Sequence, residues 1–357
     1  MIMPIESLAD WDKRLARQDA FWNREILDRP VVCITQPRKD AGHPWPAAKK
    51  WPALRDRWTD TQHVAKCAVA GVMNTEYLGD ALPSVYPNLG PEVFSAFFGQ
   101  ELEFSEGTSW SVPVLHDWAE VGKLKFSDQN FYWKKVNEMT DALLAVGHGK
   151  FYTGLTDLHP GGDAIAAFRD PINLNMDMID APEQVKELLA YINTTYFKVL
   201  DVFTGRLQKA GQAISTWAGI VSTKRWYVPS NDFSCMISPE MFDAMFLPGI
   251  AEECRHNEAS LYHLDGPGAI KHLDSLLSIK ELNAIQYICN PGERASDRIP
   301  LYKRCQAAGK GLQIGLAVNE VDLLMRELRP EGLWLSVYGV GDRDSAEAVI
   351  KAISNWR

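Results

Sequence analysis

Two short stretches of this 357-residue chain each hold a histidine and an aspartate two residues apart, His263-Leu264-Asp265 and Asp157-Leu158-His159. Side chains alternate along an extended backbone, so each pair points to one face and brings imidazole and carboxylate together. Such a pair can bind a divalent metal such as zinc, or act as general acid and base. The plainer alternative makes His263 a hydrogen-bonded strand histidine and Asp265 the cap of a following helix. Glycine-rich turns follow both pairs, Gly266-Pro267-Gly268 and Gly161-Gly162-Asp163, the second as readily structural as functional. They would let a ligand approach backbone N–H groups at a helix start, although glycine and proline also simply build tight turns. Asp232 closes a polar, aromatic-rich loop. Trp110, Trp217, Trp226 and Tyr227 could line a pocket for a ring-bearing or methylated substrate, and Asn88, Gln286 and Arg38 offer polar contacts.

Eight short apolar or β-branched runs supply the frame, at residues 31–35, 81–86, 151–155, 213–217, 260–263, 284–288, 312–316 and 333–337. Between them the spacing predicts helices, clearest at 182–207, 239–256, 298–308, 320–328 and 344–356, and a first helix at about 5–24. Pro182 and Pro239 sit where proline suits a first helical turn. This alternation is the grammar of an α/β single (β/α)₈ TIM-type barrel with an N-terminal helical extension, and a doubly wound open sheet is the other arrangement it allows. Residues 101–125, with Leu102 and Phe104 set against Trp110, Val112 and Val114, read as an inserted β-hairpin over the barrel mouth. Nothing marks a linker, so residues 1–357 form one domain. In a barrel, the polar residues named above fall at strand exits, where active sites are built.

Composition narrows the partners. With 46% hydrophobic residues the chain can bury a core, and six scattered cysteines without paired spacing argue for a reducing, cytoplasmic compartment rather than a disulfide scaffold. A net charge of -9 leaves nucleic acid no basic footprint. No apolar run is long enough to span a membrane. Expected partners are a small-molecule substrate and a second copy in a homodimer.

The segment Asp232-Phe233-Ser234, Ile237-Ser238-Pro239-Glu240-Met241-Phe242, Leu247-Pro248 and then Tyr262-His263-Leu264-Asp265-Gly266 resembles the uroporphyrinogen decarboxylase superfamily, whose pattern is S-P-E-x-F/Y, a helix, and a strand ending in H-x-C/D-G. Asp28-Arg29-Pro30-Val31-Val32 and Asn88-Leu89-Gly90 match more loosely. The resemblance implies a (β/α)₈ barrel. It extends to two branches, and the chain departs from both. The decarboxylases carry an arginine-rich clamp after the first strand, where this chain has Thr35-Gln36-Pro37-Arg38-Lys39, and a catalytic aspartate where it has Asn88. The zinc methyltransferases pass methyl groups to or from a corrinoid protein and use His-x-Cys with a second cysteine after the last strand. Here His263 is kept, Asp265 replaces the first cysteine, and Ser336-Val337-Tyr338-Gly339 lacks the second.

The expected activity is a methyltransferase or demethylase acting on a small methylated compound, with a corrinoid protein as partner. His263 and Asp265 would hold a metal or the leaving group, and Asp157, His159 and Asp232 would be further polar groups. A carboxylate in place of a thiolate makes that site harder. The alternatives are a metal-free decarboxylase, with His263 as proton donor and Arg38 as carboxylate anchor, and a barrel that binds a ligand without turnover.

Overall fold

The computed structural model describes residues 2–40 and 42–356. Its strands in chain order are β1 (Val31–Pro37), β2 (Thr75–Gly79), β3 (Ser84–Val85), β4 (Leu102–Phe104), β5 (Ser109–Ser111), β6 (Tyr152–Thr153), β7 (Ile214–Ser215), β8 (Val221–Ser222), β9 (Trp226–Tyr227), β10 (Ala259–Asp265), β11 (Ala284–Ile288), β12 (Gly311–Ala317) and β13 (Leu333–Tyr338). Seven of them join in the order β2-β1-β13-β12-β11-β10-β9. Pairing is parallel from β1 through to β9, and only β2 runs against its neighbour. Parallel strands covered on both faces need near-continuous apolar runs, and Val32, Leu261, Ile285, Ile314 and Leu335 are all buried.

The remaining strands are short pairs. β3 lies parallel to β6, and β7 runs antiparallel to β8. Single backbone bonds carry the chain onward, from Asp80 N–H to the Val32 carbonyl (2.7 Å) and from Leu155 N–H to the Ser215 carbonyl (2.7 Å). This mixed α/β architecture, with a seven-stranded central sheet, is compatible with a TIM-type barrel, but ladder pairing is not continuous around a closed ring.

The later sequence runs match their strands to within two residues, whereas the expected strand at 81–86 shortens to β3. Its place beside β1 goes to β2, a segment with mixed polar residues that only pairing with β1 makes a strand. The expected helix at 239–256 is two, Pro239–Met245 and Leu247–His256, each with a proline in its first turn. The hairpin is confined to β4 and β5, with Glu103 opposite Trp110. A 3₁₀ helix, Trp118–Lys123, follows it. The helix Pro182–Lys209 buries Val185, Leu188, Leu189, Ile192, Tyr196, Val199 and Phe203 at three- and four-residue steps. All six cysteines are free thiols, three of them buried. No described helix is long and apolar enough to cross a membrane.

One buried ionic cluster ties the N-terminal segment to the sheet. Asp80 is fully buried and accepts from Arg29, from Arg17 (3.1 Å) and from the Val32 N–H (3.0 Å), while Arg14 holds the Tyr77 and Ala81 carbonyls. Removing one partner of such a group strands the other charges away from water. Asp80→Ala should therefore destabilise the fold by about 3–5 kcal/mol in urea unfolding, and a loss below about 1 kcal/mol would show that the cluster behaves as a surface pair.

Candidate active site

The polar side chains of β10, β11 and β12 stand in register across three neighbouring parallel strands. His263 pairs with Gln286, and Gln286 with Gln313. Their side chains bond in the same sequence: His263 Nδ1 to Gln286 Oε1 (2.6 Å), Gln286 Nε2 to Gln313 Oε1 (2.6 Å), and Gln313 Nε2 to the Ala218 carbonyl (2.7 Å). A backbone carbonyl can only accept, so Gln313 must present its amide N–H to Ala218. That fixes both glutamines and leaves Gln286 Oε1 facing His263. His263 therefore carries its proton on Nδ1, and Nε2 keeps an open lone pair. Burial lowers the His263 pKa, and the charged His159 nearby adds to this, so the imidazole is neutral at neutral pH. Trp217 meets the ring edge to face, with centroids 5.0 Å apart.

Residues 229–233 lie alongside β10. His263 N–H donates to the Pro229 carbonyl (3.0 Å), and Ser230 forms a parallel bridge with His263. This brings Asp232 Oδ1 to 3.9 Å from His263 Nε2. Oδ1 is enclosed and has no hydrogen-bond partner among the described residues. Burial pushes the Asp232 pKa up to about 7, and the neighbouring carboxylate of Asp163 adds to the shift.

Asp163 pins that loop. Its carboxylate accepts the N–H groups of Asp232 (3.1 Å) and Phe233 (2.9 Å), and Ser230 Oγ lies 3.3 Å away. Close approach depends on Gly162, where an added Cβ would fall 2.7 Å from Asn231 Oδ1. His159 sits between two acids, with Nε2 2.8 Å from Asp157 Oδ1 and Nδ1 3.0 Å from Ser230 Oγ and 3.6 Å from Asp163. Burial opposes charge on His159, but Asp157 and Asp163 outweigh it and raise its pKa well above the ordinary value. Tyr227 sets the position of Asp157: its hydroxyl donates to the Thr156 carbonyl (2.8 Å) and accepts the Leu158 N–H (2.6 Å).

Among the described residues one group brings three possible cation ligands together. Donor atoms of His159, Asp163 and Asp232 lie within 4.8 Å of one another. Yet both ring nitrogens of His159 and both oxygens of Asp163 already face protein partners, so this trio is built as a hydrogen-bonded frame. His263 Nε2 and Asp232 Oδ1 are the donor atoms left open. Asp265, on the same face of β10, occupies the N-cap position of the short helix Gly266–Ala269 but makes no capping bond, so its exposed carboxylate is not spent as a cap. That helix has four residues, too short for the expected anion-binding start.

A cavity of about 450 Å³ opens beside the cluster. His159, Asp163 and Asp232 line it together with Glu92 and Asp170, and Trp110, Pro91, Ala167 and Phe233 are among its apolar walls. Trp110 thus reaches it from the hairpin, and Trp217 stands against His263. The other expected contacts lie elsewhere. Trp226 is fully buried, donates to the Ile214 carbonyl (3.0 Å) and packs on Trp22, because the parallel pairing of β9 with β10 turns it into the core. Tyr227 is equally buried and acts on the Asp157 loop. Asn88 accepts the Gly90 N–H (2.8 Å) and shapes a turn. Arg38 is exposed and paired with Asp40. Gln286 touches His263 and so positions it.

Sequence reasoning noted Asp163 only as part of Gly161-Gly162-Asp163 and gave it no role, and it missed Ser230, Gln313 and Glu253. A trace of Gln313 was visible, since a lone amide between Leu312 and Ile314 in a buried strand must find a partner. Glu253 had no such trace. It lies behind the loop, 3% exposed, with Oε2 unpartnered among the described residues. Burial, reinforced by Asp163, holds its pKa well above 4.5.

No family model matches this chain, and no curated protein matches it. Among solved structures, a methyltransferase from Methanosarcina mazei aligns with a TM-score of 0.60 at 13% identity, covering 96% of this chain and 98% of that one. At that identity the likeness is one of fold.

Because the folded-state pKa of Glu253 exceeds its unfolded value, the folded protein holds a proton that the unfolded chain sheds above about pH 4.5. Glu253 therefore costs stability increasingly as pH rises from there through its folded pKa. Glu253→Gln, neutral and similar in shape, should lose less Tm than the parent between pH 5 and pH 8. Equal losses in the two proteins would remove this account.

Proposed function

We propose that this chain is an enzyme of the uroporphyrinogen decarboxylase superfamily type, built on a (β/α)₈ barrel, that removes a methyl group from a small methylated compound and passes it to a corrinoid held by a partner protein. The observation that carries the reading is the pair of open donor atoms, His263 Nε2 and Asp232 Oδ1, 3.9 Å apart, with Asp232 in the lining of a cavity sized for a small molecule and His263 beside it. Support also comes from the likeness in fold to a protein named a methyltransferase. Arg38, tied to Asp40 at the surface, offers no carboxylate anchor, which sets the decarboxylase alternative behind.

In demethylation the bond between heteroatom and methyl carbon breaks. Its electron pair stays on the heteroatom, and the carbon bonds to the nucleophilic acceptor. The protein must stabilise the negative charge left behind. His263, Asp232 and Asp265 would hold a divalent metal, whose chemistry here is Lewis-acid polarisation of that heteroatom. The donor types suit such an ion, with one neutral imidazole whose far nitrogen is anchored and carboxylates that favour harder ions than a thiolate site does, but these three donors do not all lie within 4.8 Å of one another, so Asp265 would have to swing in to complete the set. His159, fixed between Asp157 and Asp163, adds positive charge at the cavity wall. Trp110 and Phe233 give it an apolar side.

Purified protein, given a panel of methyl ethers, thioethers and methylated amines with a reduced free corrinoid as acceptor, should yield demethylated product by NMR. His263→Ala should lower that yield at least about 100-fold while circular dichroism stays unchanged. Metal analysis of chelator-free protein should find a divalent ion in the parent, bound about 10–100-fold more weakly in Gln286→Leu. A metal-free parent would sink the metal assignment. Full activity in His263→Ala would sink the site, and carbon dioxide release from small acids without demethylation would favour decarboxylation.

A further inference from the structure

A second polar cavity, of about 320 Å³, lies at the opposite end of the strands. Asn23, Arg24, Gln306, Lys310, Arg329 and Glu331 line it. Residues 306 and 310 precede β12, 329 and 331 precede β13, and 23 and 24 precede β1, so all come from the chain entering the sheet. The candidate active site is built where the chain leaves it.

Three cations share this cavity with one carboxylate, in a chain whose overall charge is -9. Each cation lacks an acidic partner among the described residues. Lys310 is 94% buried, and its ammonium donates to the carbonyls of Ile279 (2.6 Å) and Leu282 (2.8 Å), leaving a third N–H unused. Arg329 donates to the Gln306 carbonyl (2.8 Å). Among the described residues Arg24 makes no side-chain hydrogen bond. It adopts a left-handed backbone (φ 57°) and lies over two glycines, such that an added Cβ on Gly309 would fall 3.1 Å from its Nη1 and one on Gly332 2.7 Å from its Cγ. The guanidinium is thereby laid down beside Lys310. Burial lowers the Lys310 pKa, and Arg24 adds to the effect by like-charge repulsion. Asn23 offers an amide at the rim, where Lys224 Nζ donates to its Oδ1 (3.2 Å).

A buried ammonium crowded by guanidinium groups and lacking a counter-charge is stabilised by an anion that takes several charge-assisted hydrogen bonds at once. We propose that Arg24, Lys310 and Arg329 form a binding site for an oxyanion group, phosphate or carboxylate, on the face remote from the candidate active site. Planar guanidinium donors with one compact ammonium match the tetrahedral spread of phosphoryl oxygens and also accept a carboxylate bidentately. Glu331 would restrict the site to ligands that keep clear of its own charge.

The test is titration calorimetry of the full chain at low ionic strength with inorganic phosphate and, separately, with acetate. Saturable binding is expected in the parent. Arg24→Gln and Arg329→Gln, both at exposed positions, should each weaken it about tenfold to a hundredfold, and the rise in Tm that phosphate gives the parent should shrink in both. Phosphate binding tighter than acetate identifies a phosphorylated ligand, and the reverse order identifies a carboxylate. No saturable binding of either anion, or binding unchanged in Arg24→Gln, overturns the proposal.

Discussion

A single acceptor, the Ala218 carbonyl, orients everything at the centre of this protein. Because it cannot donate, Gln313 must give it an N–H, Gln286 must give one to Gln313, and His263 must give its Nδ1 proton to Gln286. The relay works only while β10, β11 and β12 keep their register. A slip of one residue would turn every member to the other face. The apolar side chains alternating with these three, Tyr262, Leu264, Ile285, Leu312 and Ile314, are all buried and hold that register. Core packing and histidine tautomer are thus one constraint.

A second constraint decides what the open nitrogen of His263 meets. The loop from 229 to 233 could have stood away from the strand, but Asp163 takes two of its N–H groups from one side and β10 takes the Pro229 carbonyl from the other. Asp232 is delivered to His263 as a result. Four carboxylates and two histidines then crowd one region, and their environments push them apart: His159 charged, His263 neutral, Asp163 ionised, Asp232 shifted up to about 7. Such divergence among neighbours is what acid, base or metal chemistry requires.

The two ends of the strands are divided in charge. Carboxylates gather at the exits, near the 450 Å³ cavity, and cations gather at the entries. The Asp80 cluster holds the first strands to the N-terminal helix. Fold stability and site geometry are thereby drawn from largely separate residues, which leaves the exits free to carry polar groups that a core would not tolerate.

The sequence by itself determined the alternating elements, the parallel character of the later strands and the importance of His263, because β-branched apolar runs and a His-x-Asp at a strand end are local patterns. It also brought Asp157, His159, Asp232 and Trp217 into view as exit residues. Only the tertiary structure decided which of them meet. Trp226 and Tyr227 are adjacent to the same loop in sequence, yet strand pairing buries both, while Asp163, visible in the sequence only as the residue after a glycine pair, becomes the anchor of the site. Asp265 reads as a partner of His263 by spacing, but the nearest open oxygen belongs to Asp232, thirty-one residues earlier. Spacing along the chain fixes which face a side chain takes, and long-range pairing fixes what waits on that face.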